Sequence, residues 1–211
     1  MKIVYHESID STQKYLKELI RKKIVSPPYA IAADTQTNGI GSRENSWIGI
    51  SGNLFLSFAI ELKELPKDLK LESASIYFSY ILKDTLCDFK SSVWLKWPND
   101  FYINDKKIGG MITNIVDDTL ICGVGLNLSA APKGFERLDI DLNKNILIET
   151  YFKNIEKKSL WKQVFSKYKL EFYKNKNFFV HDENLKISLK EASLEDDGSL
   201  MVKGKRIYSL R

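Results

Sequence analysis

Between Val93 and Leu128 four apolar runs follow one another with almost no chain between them. They occupy 93–97, 101–103, 107–116 and 120–128, and the three-residue gaps between them open on Pro98-Asn99, Asn104-Asp105 and Asp117-Asp118. Pro, Asn and Asp favour tight turns, and strands joined by such short turns are antiparallel neighbours. The other elements must pack against that block. Asp10 reads as a helix N-cap, with Gln13 three residues on as in a capping box. Tyr15, Leu16, Leu19 and Ile20 then form a helical stripe, closed by Pro27-Pro28. Residues 29–33 and 53–62 read as strands, and 36–52 as a polar loop bearing glycines. Leu71, Ala74, Phe78, Ile81, Leu82 and Thr85 line one side of a helix, and Leu160, Trp161, Val164, Phe165, Tyr168 and Phe172 mark another. Beyond residue 176 the texture changes to short strand signals (KISL, SLMVK, RIYSL) around the turn Asp196-Asp197-Gly198. The expected fold is α+β: a mixed, mainly antiparallel sheet with helices packed on one side, residues 1–176, and a small C-terminal β module, residues 177–211.

Composition excludes several classes. The chain is 44% hydrophobic with 5 prolines and 11 glycines among 211 residues, which argues against wholesale disorder. No run reaches the roughly 18 apolar residues of a membrane span, and the start MKIVYHESIDS lacks the apolar stretch of a secretory signal. Cys87 and Cys122 are too few and too far apart for a disulfide framework or a metal site of the CxxC kind. A cytoplasmic location is expected. The net charge of +5 sits in the C-terminal part: residues 151–211 hold 14 Lys/Arg against 8 Asp/Glu, and residues 1–150 hold 18 against 19. These lysines alternate with acids and apolar residues, the pattern of a solvated surface and not of a nucleic-acid platform.

The chemistry-bearing residues interrupt the strands. In QTNGIGSRENSW, Gly39 and Gly41 let the backbone approach a ligand, and Arg43 is the only arginine between residues 22 and 136. Trp47 either fills the core or stacks on a base. In KWPND, Lys96 offers a point charge for phosphate, Asn99 an amide and Asp100 a carboxylate. In KIGGM, Lys107 follows the turn, and Gly109-Gly110 invite close approach by a ligand. In CGVGLN two more glycines precede Asn127. Each piece alone reads equally well as a surface loop, a capped turn or a solvated lysine. Together, four interruptions at strand ends point to one shared cleft.

The ordered set Ser11-Thr12-Gln13, QTNGIGSR with Trp47, GNLFLS (52–57), KWPND (96–100), KIGGM (107–111) and GVGLN (123–127) resembles the biotin protein ligases over roughly residues 8 to 130. The resemblance implies a class II synthetase-like catalytic domain, with the C-terminal module a shortened SH3-like barrel. It implies ATP-dependent activation of biotin to biotinyl-5′-AMP and transfer of the acyl group to a lysine of a biotin carboxyl carrier protein, that of acetyl-CoA carboxylase. Biotin would be held by Ser11, Thr12, Gln13 and Gln36, by the backbone of Gly39, Ile40, Gly41 and Ser42, and by Gly110 and Gly123. Lys107 would hold its carboxylate, and Lys107 and Arg43 would act in catalysis. Arg43, Trp47, Lys96, Asn99 and Asn127 would face ATP, which enters with Mg²⁺; no metal ligand is assigned. A lipoate or octanoate ligase or transferase and a non-catalytic biotin-binding protein are the rival readings, and a homodimer through a sheet edge fits the pattern. Two departures stand out. The family's loop is commonly GRGRRGR, and GIGSREN keeps only Arg43. The chain also starts almost at the Ser-Thr motif, so a monofunctional ligase that binds no DNA is expected.

Overall fold

The computed structural model describes residues 1–41, 45–182 and 185–209. Its centre is a seven-stranded sheet in the order β1-β2-β5-β9-β8-β7-β6, comprising β1 (Lys2–Ile9), β2 (Tyr29–Gln36), β5 (Leu54–Glu61), β6 (Trp94–Lys96), β7 (Asp100–Ile103), β8 (Lys106–Val116) and β9 (Thr119–Leu126). Only β1 and β2 pair in parallel, joined by helix α1 (Thr12–Arg21); the other pairs are antiparallel. A short hairpin of β3 (Gly39–Ile40) and β4 (Ser46–Trp47) stands beside the sheet. The anticipated block of 93–128 is the run β6-β7-β8-β9. Its turns place Asn104 at φ 51 and Asp117 at φ 48, the left-handed region that Asn and Asp tolerate better than most residues.

Strand periodicity separates two faces. Leu54, Leu56, Phe58 and Ile60 of β5 and Leu120, Cys122, Val124 and Leu126 of β9 point into the main core. Helices α2 (Ala74–Asp88), α3 (Lys144–Glu156) and α4 (Trp161–Glu171) build the rest of that core. On the opposite face α1 lays Leu16 and Ile20 against Ile31, Ala59, Val116 and Ile121. Helices therefore flank both faces, not one as expected, because α1 must return the chain from β1 to its parallel partner across the sheet. The expected single apolar side of α2 is also too narrow: it is buried on nearly every side, with the hydroxyls of Tyr77 and Tyr80 bonded to Ser159 O and the Glu171 carboxylate.

β1 and α3 lie outside the sequence-derived expectation, as does the β3–β4 hairpin within the span 36–52 read as a loop. β1 shows little apolar alternation and is secured by its pairing with β2, from Lys2↔Tyr29 to Ile9↔Gln36. α3 is capped by Asn143, whose side chain accepts from Asn145 N and Ile146 N, and buries Leu147, Ile148, Tyr151, Phe152 and Ile155. The cap of α1 also differs. Ser11, not Asp10, is the N-cap and accepts from Lys14 N, while Asp10 accepts from Ser11 N and Gln13 turns inward.

The C-terminal strands are β10 (Phe179–Asp182), β11 (Leu185–Ser188), β12 (Ser193–Leu194), β13 (Leu200–Val202) and β14 (Lys205–Ile207). Their buried residues Leu189, Leu194, Leu200, Val202 and Ile207 join the same apolar cluster as the sheet and helices. The turn 196–198 is held by three consecutive carbonyls. Asp196 O accepts from Trp161 Nε1 (2.9 Å), Asp197 O from Ser73 Oγ (2.5 Å) and Gly198 O from Trp97 Nε1 (2.8 Å).

Candidate active site

On the α1 face, β5, β8 and β9 present Ser57, Gly110, Gly123 and Gly125, with Gly110 directly opposite Gly125 and Ser57 opposite Gly123. Small residues side by side leave a trough where neighbouring positions carry apolar side chains. This inner slot measures about 40 Å³. Its end is formed by the first turn of α1. Gln36 Oε1 accepts from Thr12 N (2.8 Å) and Thr12 Oγ1 (3.1 Å), and Thr12 Oγ1 in turn accepts from Ser57 Oγ (2.9 Å). Ser11 lines the same end.

Gln13 lies across the trough and is 3% exposed. Its Nε2 donates to Asn114 Oδ1 (3.1 Å) and Ile121 O (3.3 Å), while Oε1 has no donor among the described residues. A Cβ placed on Gly123 would lie 2.4 Å from that oxygen, so only glycine admits it. Trp47 covers the other end: a Cβ on Gly125 would lie 2.6 Å from its Cε2. The indole meets the Phe135 ring edge-on, and its buried Nε1 has no acceptor among the described residues. The slot thus carries one unsatisfied acceptor and one unsatisfied donor, each costing about 1–3 kcal/mol until a partner arrives.

The cationic edge comes from β6–β8. Lys107 Nζ is 2.6 Å from Asp100 Oδ1, with 27% of its side chain exposed, and Lys96 Nζ lies 3.9 Å from Asp100 Oδ2. A Cβ on Gly110 would sit 3.0 Å from Asp100 Oδ1 and 3.5 Å from Lys107 Nζ, so the ion pair stands over that bare backbone. Lys96 is buried and lies 5.8 Å from the Tyr102 ring centroid. Burial and the Asp100 charge push the Tyr102 hydroxyl up to about 12. Asn99 donates to Met111 O (2.6 Å), and Met111 N donates to Asn99 O (3.0 Å), which ties KWPND to the glycine-bearing strand.

Most of the sequence-derived residues therefore meet. Ser11, Thr12, Gln13, Gln36, Ile40, Gly41, Trp47, Lys107, Gly110 and Gly123 line the slot; Gly39 backs it, packed against Gln36 and Trp47. Lys96 and Asn99 line a second cavity of about 360 Å³ that shares Asp100 with the slot. Asn127 is placed elsewhere. It is buried, its Nδ2 donates to Glu136 O and its Oδ1 accepts from Asn53 Nδ2, and it lines neither cavity. Ser42 and Arg43 lie outside the described residues. Sequence reasoning missed Ser57, Asn114 and Gly125. Ser57 carried a usable signal, as a hydroxyl between Phe55 and Ala59 on the slot-facing side of LFLSFAIE.

A family model for the biotin/lipoate A/B protein ligase family matches residues 5–127, a span that holds every residue lining the slot. The chain belongs to this family. Among curated family members, the bifunctional ligase/repressor BirA of Bacillus subtilis is 28% identical over 143 residues, covering 63% of this chain and 42% of that protein. BirA of Escherichia coli is 29% identical over 132 residues, 57% and 39% respectively, so the match spans less than half of these relatives' own length. Solved structures extend the likeness to the C-terminal strands. The biotin acetyl coenzyme A carboxylase synthetase of Helicobacter pylori, solved with bound biotinylated ATP, superposes with a TM-score of 0.94 at 38% identity over 98% of this chain and 99% of that one. The biotin protein ligase of Aquifex aeolicus, solved with biotin and ATP, shares the fold with a TM-score of 0.81 at 24% identity, covering 100% and 96% of the two chains.

Proposed function

We propose that the protein is an ATP-dependent biotin–protein ligase that forms biotinyl-5′-AMP and passes the acyl group to a lysine of the biotin carboxyl carrier protein of acetyl-CoA carboxylase. The observation that carries this reading is the unsatisfied Gln13 Oε1 above the bare Gly123 backbone. A ureido N–H supplies the missing donor, and a dithiolane ring has none to offer. The near full-length likeness to the Helicobacter pylori synthetase points the same way.

In this reading Thr12 and Gln36 complete the ureido end, and Trp47 lies over the ligand, its indole face available to adenine. Lys107, held by Asp100 over Gly110, meets the carboxylate. The first step sets an anionic oxygen against an anionic α-phosphate. Lys107 and Lys96 offset that repulsion and the charge that builds on phosphorus, and no covalent enzyme nucleophile is required. The nucleotide enters as MgATP. Among the described residues no group of three or more His, Cys, Asp or Glu forms a metal cage, and Asp100 is the one carboxylate lining the two cavities. The second step releases AMP as the carrier amine attacks the acyl carbon. No helix among the described residues is long and apolar enough to cross a membrane, and the two free cysteines suit a reducing, cytosolic location. Pairing of two copies through the outer edge of β1 and a boundary near residue 176 belong to the same proposal.

Pure protein with ATP and labelled diphosphate tests it. Exchange with biotin and none with lipoate is expected. Lipoate-dependent exchange alone, or tight biotin binding without exchange, would replace this reading. Lys107→Ala should lower exchange about 10²–10³-fold with the circular dichroism spectrum unchanged.

A further inference from the structure

Strand β8 passes beneath α1 with Ile112, Asn114 and Val116 on the side that faces the helix, opposite Gly123, Ile121 and Thr119 of β9. Ile112 lines the slot, and Val116 belongs with Leu16, Ile20 and Ile121 to the small apolar cluster under α1. Asn114 is the polar residue between them. It is half-buried, and its cross-strand partner Ile121 is fully buried. An amide on an apolar stripe needs a polar partner, and here the partner is Gln13. Asn114 Oδ1 accepts from Gln13 Nε2 (3.1 Å), and Ile121 O accepts from the same nitrogen (3.3 Å). One side-chain acceptor and one main-chain acceptor therefore claim both hydrogens of that nitrogen. The Gln13 oxygen is left over the Gly123 backbone, and the nearby Ser57 hydroxyl cannot serve it while it donates to Thr12.

We propose that Asn114 is a positioning residue that fixes the sense of the Gln13 amide, so that the site selects a ring bearing an N–H and rejects one presenting a lone pair. The inference rests on the ligase reading above. The oxygen and nitrogen ends of a glutamine amide have nearly the same shape and opposite hydrogen-bonding sense, so packing cannot choose between them. Hydrogen bonds can. Turned by half a rotation, Gln13 would set its oxygen against Ile121 O and lose the bond to Asn114 Oδ1. The Ile121 carbonyl belongs to the backbone and always accepts; Asn114 supplies the nearer bond, and it is the part of the device that substitution can change. Neither residue needs to touch the ligand. Together they hold an acceptor ready where a ureido N–H would arrive, which spares the ligand the cost of ordering it.

Calorimetry on the full chain tests this with biotin and its two cyclic carbamate analogues, in each of which a ring oxygen replaces one ureido N–H. The parent protein should bind one of the two carbamates about tenfold or more weakly than biotin, the loss of one buried hydrogen bond. Asn114→Leu removes the acceptor and keeps the apolar stripe. It should weaken biotin and strengthen that carbamate, so that the ratio of their affinities falls severalfold. Asn114→Asp keeps an acceptor at the same place and should keep the ratio. Biotin and carbamate weakened alike in Asn114→Leu would overturn the inference and make Asn114 a support for α1 alone. Unchanged affinities in that variant would overturn it as well. A parent protein that carries out biotin-dependent diphosphate exchange but binds both carbamates as tightly as biotin would overturn it and leave the ligase reading standing. Absence of biotin-dependent exchange in the parent would remove that reading, and this inference with it.

Discussion

Gln13 has two tasks that pull in different directions. Its amide nitrogen anchors α1 to β8 and β9 through Asn114 and Ile121, and its oxygen is left facing the trough. Such a buried acceptor persists because the amide cannot rotate without losing both bonds. Gly123→Ala would press a methyl group against that oxygen and should lower biotin affinity about tenfold or more in calorimetry, the cost of an overpacked site, with little loss of melting temperature. Away from the slot, Glu171 shows how a charge is held in the core. Burial alone would raise its carboxyl, but the Lys83 ammonium and the Tyr80 hydroxyl outweigh that and hold it below the ordinary glutamate value. A depressed carboxyl adds stability above the unfolded value of about 4.3, and that stability is lost as pH falls through the lower folded one. Glu171→Gln should therefore cost about 1–3 kcal/mol at neutral pH and converge with the parent in acid, as urea melts across pH 3–7 would record.

Among the elements, the β6–β9 run was legible because two of its turns carry residues that accept positive φ and its strands are near-continuous apolar runs. The α1 cap was not, since Asp10, Ser11 and Thr12 are all competent caps and only the packed helix selects Ser11. β1 gave too weak a pattern for a strand that depends on its neighbour, and α3 carried a readable apolar spacing beneath many polar residues. The slot residues were legible as a set through their shared motifs, whereas Asn114 becomes visible only once register sets it opposite Ile121. The clamp on the turn 196–198 joins elements far apart in sequence and leaves no local signature. Trp97 sits between Lys96 and Pro98 and bonds Gly198 O, and its own N–H donates to Asn175 Oδ1 (2.7 Å). Trp97→Phe keeps an aromatic side chain but removes the indole N–H and strands that carbonyl. It should cost about 1–3 kcal/mol, lowering the melting temperature by roughly 2–4 °C per kcal/mol, and raise KM for ATP more than for biotin. Equal changes in both would disconnect the clamp from Lys96.

At the scale of the molecule, the C-terminal strands share one apolar cluster with the sheet and helices. A protein ending at residue 176 would lose Val180, Leu189, Leu200, Val202 and Ile207 from that cluster. It should lack a cooperative thermal transition and bind the dye ANS; a sharp melt at the parent temperature would instead make the first 176 residues self-sufficient. Three of the four indoles already have a backbone acceptor: Trp94 donates to Asn104 O, Trp97 to Gly198 O and Trp161 to Asp196 O. Trp47 alone has a buried indole nitrogen with no acceptor among the described residues. The protein therefore contains its own optical gauge: a shift in intrinsic emission on adding nucleotide or vitamin reports on one chromophore, and Trp47→Phe should silence it.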